Sequence, residues 1–369
     1  MIIKTITCQK VNNHGATLQA YALMHYLESL GNDVEIIDYI PERFNHFRPF
    51  VCSTEKYAKN VFLKTAYICA KFPSRFVGYL KYKNSLRKTN FENFWNKYYH
   101  LTKCYKTFDE LKNNPPEADL FIAGSDQIWN TMMENGKDPA YYLQFVKNGI
   151  RAAYAASFSV SEIPDELKNQ TKAFIESIDY VSVREKSALK ILDDLGIKDA
   201  CVVLDPVFLL SREEWDCVES KIEFDDKYIL VYDFENSDSV KSFSLQYAKK
   251  HKVKIYSLYN SDYCDKCFED YGPDVFLSLI KNADFVVSNS FHATAFSVIY
   301  EKQFAVIERE EGINSRMVDL LDELGIEGHI VTEYRLMNKI DYYSVNEIKD
   351  KMLESSKEYL LKLLENVKK

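Results

Sequence analysis

The sequence predicts an α/β protein: two Rossmann-like domains facing a central cleft, with a basic, aromatic-rich helical insertion in the first. Three observations predict it. Apolar runs of strand length alternate with stretches of helix length, once over residues 1–210 and again over 211–344. The chain has 369 residues, more than one small domain needs, with ordinary hydrophobic (46%) and charged (28%) fractions. Finally, the run Ala283-Asp284-Phe285-Val286-Val287 passes through Ser288-Asn289-Ser290 straight into a helical pattern from Phe291 to Tyr300. A strand that turns directly into a helix puts its turn at the carboxyl edge of a parallel sheet. Ligands bind at that edge, and the helix start favours an anion there. His292 in this turn adds a group that titrates near neutral pH.

Ile2 to Thr7 reads as the first strand and Gln9 to Gly15 as a polar loop. Ala16 to Leu30 is helical, with apolar spacing through Leu18, Tyr21, Ala22, Met24 and Leu27 and a stop at Gly31. Val34 to Ile37 is the next strand. The loop Asn12-Asn13-His14-Gly15 stands where such a unit binds an anion, without the Gly-x-Gly-x-x-Gly spacing of a dinucleotide site.

Residues 41–114 break the alternation. They hold 15 Lys and Arg against 5 Asp and Glu, a net of +10, which leaves −18 for the rest of a chain whose net charge is −8. The basic residues are interleaved with aromatics, as in Phe72-Pro73-Ser74-Arg75-Phe76. That pattern suits an anionic membrane surface or a lipid-linked diphosphate, and equally a solvated helical insertion. The acidic whole argues against a general nucleic-acid binder.

The alternation resumes with a strand over Ala118 to Ala123, ending in Gly124-Ser125-Asp126-Gln127-Ile128-Trp129-Asn130. Ala152 to Phe158 is a strand, Pro164 to Ser177 a helix, Tyr180 to Val183 a strand ending at Arg184. Ser187 to Leu195 is a helix stopped by Gly196, and Cys201 to Leu204 a strand ending in Asp205-Pro206. Val207 to Phe224 reads as the crossing between domains. Then come a strand (Tyr228 to Tyr232), a helix (Ser237 to Lys250), a strand (Val253 to Leu258) and a helix (Asp274 to Lys281). After the strand–turn–helix of His292 follow a strand (Phe304 to Ile307) and a helix (Ser315 to Leu324) opened by Asn314-Ser315-Arg316. The last helix, in 345–369, is long enough to pack back on the first domain.

Eight cysteines are scattered, and Cys264-Asp265-Lys266-Cys267 is the one close pair, too little for a zinc site. Met1 to Thr7 reads as a strand rather than a secretory leader, so a reducing, cytoplasmic setting with free thiols is expected. No metal or cofactor is expected. The polar clusters at strand ends converge on one crevice in this architecture. Each member has a plainer use as well: Ser125 or Asp126 as a helix cap, Arg184 as an ion-pair partner of Glu185, His14 or His292 as a structural histidine.

Read together, the stretches Asn13-His14-Gly15-Ala16-Thr17-Leu18-Gln19-Ala20-Tyr21-Ala22-Leu23, Gly124 to Asn130, Ser182-Val183-Arg184-Glu185, Leu204-Asp205-Pro206, Ser290-Phe291-His292-Ala293-Thr294 and Ser315-Arg316 resemble the polysaccharide pyruvyltransferase family. The resemblance implies a GT-B-like fold and transfer of pyruvate from phosphoenolpyruvate onto two hydroxyls of a sugar in surface polysaccharide biosynthesis. It departs at one place: many members carry Arg-x-His in the second-domain turn, where this chain has Ser290 before His292. Either another cation, Arg316, serves the donor in its place, or the donor differs.

Phosphoenolpyruvate carries a phosphate and a carboxylate. Arg184 and Arg316, with Asn289, Ser290, His14 and Gly15 at two helix starts, are the expected donor ligands. His292 is the expected general acid toward the enol methylene, and Asp126 the base that orients the attacking hydroxyl. Ser125, Gln127 and Asn130 are the expected acceptor hydrogen-bonders and Trp129 its stacking face. The acceptor is a sugar or a lipid-linked oligosaccharide, with 41–114 as the segment that would touch the inner face of a membrane. Two other functions stay open from the residues: a glycosyltransferase using a nucleotide sugar, and a non-catalytic relative that binds sugar chains.

Overall fold

The computed structural model describes residues 1–41, 85–308 and 315–368, together with Thr65, Tyr67, Cys69, Ala70, Phe72, Pro73 and Phe76. About half of the basic aromatic stretch 41–114, and Asn314, lie outside these residues. Two parallel six-stranded sheets form the core. The first holds β1 (Ile2–Ile6), β2 (Asp33–Ile36), β3 (Leu120–Ala123), β4 (Ile150–Ala156), β5 (Tyr180–Val183) and β6 (Ala200–Val202) in the order β2-β1-β3-β4-β5-β6. The second holds β7 (Tyr228–Tyr232), β8 (Lys254–Ser257), β9 (Lys266–Cys267), β10 (Phe285–Ser288), β11 (Phe304–Ile307) and β12 (Ile330–Val331) in the order β12-β11-β10-β7-β8-β9. Strands β3, β7 and β10 are buried along their whole length, as strands covered by helices on both faces must be. The strand order reverses between β1 and β3 in one sheet and between β7 and β10 in the other. A crevice opens at such a switch point, because the flanking connections leave toward opposite faces.

The helices are α1 (His14–Ser29), α2 (Leu86–Tyr98), α3 (Phe108–Asn113), α4 (Asp165–Ile175), α5 (Lys186–Asp194), α6 (Arg212–Val218), α7 (Asp238–His251), α8 (Pro273–Asn282), α9 (Phe291–Ile299), α10 (Ser315–Glu323) and α11 (Tyr342–Val367). Helix α1 begins two residues earlier than the sequence suggests. The Asn13 side chain caps it, accepting from Ala16 N at 3.0 Å, so His14 and Gly15 lie in its first turn and not in a loop. Helix α6 sits inside the stretch read as a plain crossing; Ser211 and Glu214 form a capping box there.

Three elements join the domains. Within the expected insertion, α2 buries Phe91, Phe94 and Trp95. Its Arg87 donates to Asn12 O in the first domain (2.9 Å) and to Glu269 O in the second (2.6 Å). Ser187, at the start of α5, donates through its N–H and hydroxyl to Asp319 of α10. Helix α11 runs between the sheets. Tyr342 near its start donates to Ser297 O, and Ser356 Oγ further along accepts from Leu204 N. Among the described residues no helix is long and apolar enough to cross a membrane.

Candidate functional site

A cavity of about 300 Å³ lies between the domains, at both switch points. The first domain contributes Cys8, Val11, Asn13 and Ala16 after β1, and Asp126, Gln127, Met133 and Asn135 after β3. The second contributes Phe234 after β7, Asn289, Ser290, Phe291 and His292 after β10, and Arg316 and Met317. Asn13 and Ser290, the N-caps of α1 and α9, both line it. Two helices from opposite domains therefore begin at this cavity, and their positive ends favour a negative group inside it.

Charge is concentrated at its base. Asp126, three residues after β3, has φ +72°, a left-handed conformation that aspartate tolerates better than most residues. Its backbone oxygen accepts from Ser157 N and Ile128 N, which pins the turn. Its carboxylate lies 3.7 Å from Arg184 Nη2 and 3.5 Å from Arg316 Nη1. Both guanidinium groups stack on the Phe291 ring, at 4.4 Å and 5.7 Å from its centroid. Burial and repulsion from the neighbouring Arg184 charge push Arg316 down to about 10, against the opposing pull of Asp126, Glu185 and Asp205. The Nε of Arg316 has no hydrogen-bond partner among the described residues.

Behind this layer lies Asp205, fully buried. It accepts from Arg184 Nη1 at 2.6 Å and from Ser125 Oγ at 2.9 Å, and His292 Nε2 stands 3.6 Å away. Burial alone would raise its carboxyl, but His292 and Arg184 outweigh that and hold it well below the usual carboxylate range. Arg184 is likewise disfavoured by burial, yet Asp205, Asp126 and Glu185 keep it above its ordinary value.

The structure assembles His292, Asp126, Arg316, Ser290, Asn289 and Gln127 around one cavity and corrects other expectations. Arg184 does not line it: its charge is engaged by Asp205, and Phe291 covers its face. His14 is fully buried among Phe91, Phe276 and Tyr232, away from solvent. Gly15 serves a steric purpose. A Cβ there would fall 2.1 Å from His292 Cγ, so only glycine lets the histidine approach α1 so closely.

On the acceptor side, Trp129 is fully buried, stacked on Tyr142 at 5.5 Å with its indole N–H donated to Tyr141 O, and offers no face to a ligand. Ser125 is buried on Asp205. Asn130 is buried too, its amide bonded to Gln127 Oε1 and Met132 N. Sequence reasoning left out Asp205 and Phe291 as site residues. The signal for Asp205 was present in Asp205-Pro206 at a strand end; Phe291 reads as an ordinary apolar helix residue.

The sequence model of the polysaccharide pyruvyl transferase family matches residues 13–311, a span that holds the cavity residues from Asn13 to His292 and leaves out Cys8, Val11, Arg316 and Met317. No curated protein matches the chain significantly. Among solved structures, UDP-N-acetylglucosamine 2-epimerase from Rickettsia bellii is similar with a TM-score of 0.51 and 12% identity, over 100% of this chain and 96% of that one. Arabidopsis thaliana UGT89C1 complexed with UDP-L-rhamnose is similar with a TM-score of 0.50 and 10% identity, over 99% and 98%. At such identities these likenesses speak for the two-domain GT-B-like fold alone.

Proposed function

The chain belongs to the polysaccharide pyruvyl transferase family, and from that premise we propose that it transfers the pyruvyl group of phosphoenolpyruvate onto two hydroxyls of a sugar, closing a cyclic ketal. One observation carries the reading: a single cavity unites His292, Asp126 and Arg316 with the starts of α1 and α9. A phosphate or carboxylate there meets Arg316 and the two positive helix ends.

Protonation of the enol methylene makes it a methyl group and leaves a cation-like centre on the adjacent carbon. His292 supplies that proton, and the ionised Asp205 at 3.6 Å orients its ring and offers a counter-charge. Two sugar hydroxyls attack that carbon in turn, and phosphate leaves. The two hydroxyl protons balance those taken up by the methyl group and the departing phosphate. Asp126, 19% exposed and aimed at the cavity floor between two arginines, orients the first hydroxyl. Ser290 fits this account as the cap of α9, accepting from Ala293 N, while Arg316 provides the nearby cation.

The test is ligand-induced thermal stabilisation of the full chain. Phosphoenolpyruvate raises the melting temperature and uridine diphosphate does not. Stabilisation by the nucleotide alone would replace this reading with a nucleotide-sugar glycosyltransferase.

A further inference from the structure

We propose that Asp319 is a positioning residue: by gripping Ser187 across the domain interface it seats Arg316 in the cavity, and so sets how tightly the site holds an anion. The inference rests on the reading above, in which Arg316 meets an anionic group of the donor.

Helix α10 is two-sided. Met317, Leu320 and Leu321 form its buried apolar side. Arg316, Asp319 and Glu323 recur at spacings of three and four, so they share another face, and all three meet the first domain. Arg316 stands 3.5 Å from Asp126, and Glu323 Oε1 lies 3.3 Å from Lys186 Nζ. Asp319 Oδ2 accepts from Ser187 N at 3.1 Å and from Ser187 Oγ at 3.2 Å. These are unequal anchors. The Lys186 side chain is 56% exposed, so its ion pair adds little. The approach of Arg316 to Asp126 is longer than a good hydrogen bond. Its guanidinium also lies farther from the Phe291 centroid than that of Arg184, at 5.7 Å against 4.4 Å. Arg316 is thus the more loosely held of the two arginines, and the firm attachment of its helix to the first domain is the one at Asp319.

Ser187 offers that attachment for a structural reason. Its N–H belongs to the first turn of α5, where backbone donors lack partners within the helix. Glu185, the N-cap of α5, gives it no side-chain cap, because its Oε1 accepts from Ser157 Oγ, Phe158 N and Ser159 N. Asp319 supplies the missing cap from the other domain, and its charge suits the positive helix start. One carboxylate therefore ties α10, one turn beyond Arg316, to the helix that begins just after Arg184.

The proposal has the opposite sign from plain electrostatics. Removing a negative charge one turn from Arg316 would by itself tighten anion binding. Removing the grip on Ser187 frees α10 and takes Arg316 out of place, which weakens it.

Calorimetric titration of the full chain with inorganic phosphate, and separately with phosphoenolpyruvate, tests this without requiring turnover. Asp319→Ala binds both roughly tenfold more weakly than the wild type, and Ser187→Ala about threefold more weakly. Asp319→Asn, which keeps an acceptor oxygen for the Ser187 N–H, recovers to within about threefold of the wild type. Adding Asp319→Ala to Arg316→Gln changes the remaining affinity less than about twofold, because the two residues act through one contact. Unchanged or tighter binding by Asp319→Ala, losses that multiply in the double variant, or a wild type that binds neither anion overturns the proposal. Phosphate binding that depends on Asp319 in a chain indifferent to phosphoenolpyruvate leaves the positioning role standing and sinks the pyruvyl donor instead.

Discussion

His14 and His292 lie on either side of Gly15, both buried between the two domains, and chemically they have opposite fates. His14 is enclosed by Phe91, Phe276 and Tyr232, and neither of its ring nitrogens has a hydrogen-bond partner among the described residues. Burial, and after it the positive Arg87 nearby, push it well below the ordinary histidine value. It is a neutral packing group. His292 has a buried carboxylate at 3.6 Å, a second carboxylate and two arginines beyond it, and a cavity beside it. Under the proposed function, depth of burial therefore does not tell the proton donor from the inert histidine. The presence of a counter-charge and an open volume does.

Gly15 gives the sharpest way to disturb that contrast, because it touches one histidine and adjoins the other. Gly15→Ala drives a methyl group to within 2.1 Å of His292 Cγ and Nδ1. The imidazole must turn away, and transfer should fall about 100-fold, the cost of misplacing a catalytic group by roughly 1 Å. Wild-type kcat in this variant would mean that the position of His292 does not matter.

A smaller effect isolates His14. Its folded-state value is depressed, so unfolding lets the ring take up a proton near pH 6.5. Between the folded value and about pH 6.5 the unfolded chain binds more protons than the native one, so stability rises with pH there and is lost as pH falls below about 6.5. His14→Phe, an aromatic of similar size without the unsatisfied nitrogens, should lessen the stability lost between pH 6.5 and pH 5 by about 1–2 kcal/mol. Denaturant melts at the two pH values read this directly; equal slopes for both proteins would show that His14 is not the depressed group.

Much of this was legible in the residues. The turn after β10, with Asn289, Ser290 and His292, and the strand ends at Asp126 and Arg184 stand where the alternation of strands and helices puts them. What could not be read was how the side chains are used. Arg184 looks like a donor ligand until Asp205, 21 residues on, is seen to engage it. Trp129 sits in a polar motif yet turns into the core onto Tyr142. His14 looked like part of a polar loop, because nothing local says that Asn13 starts α1 there. Each of these depends on a contact distant in the chain, or on a cap whose strength only its geometry reveals.

The most direct measurement of the central claim is sugar-dependent release of inorganic phosphate from phosphoenolpyruvate by the wild type, His292→Gln and His14→Phe. With a mixture of bacterial surface-polysaccharide oligosaccharides as acceptor, the wild type and His14→Phe release phosphate within a few-fold of each other. His292→Gln is slower by about 10²–10⁴, the usual contribution of a general acid, with a melting temperature close to that of the wild type. Equal release by His292→Gln and the wild type would contradict the account.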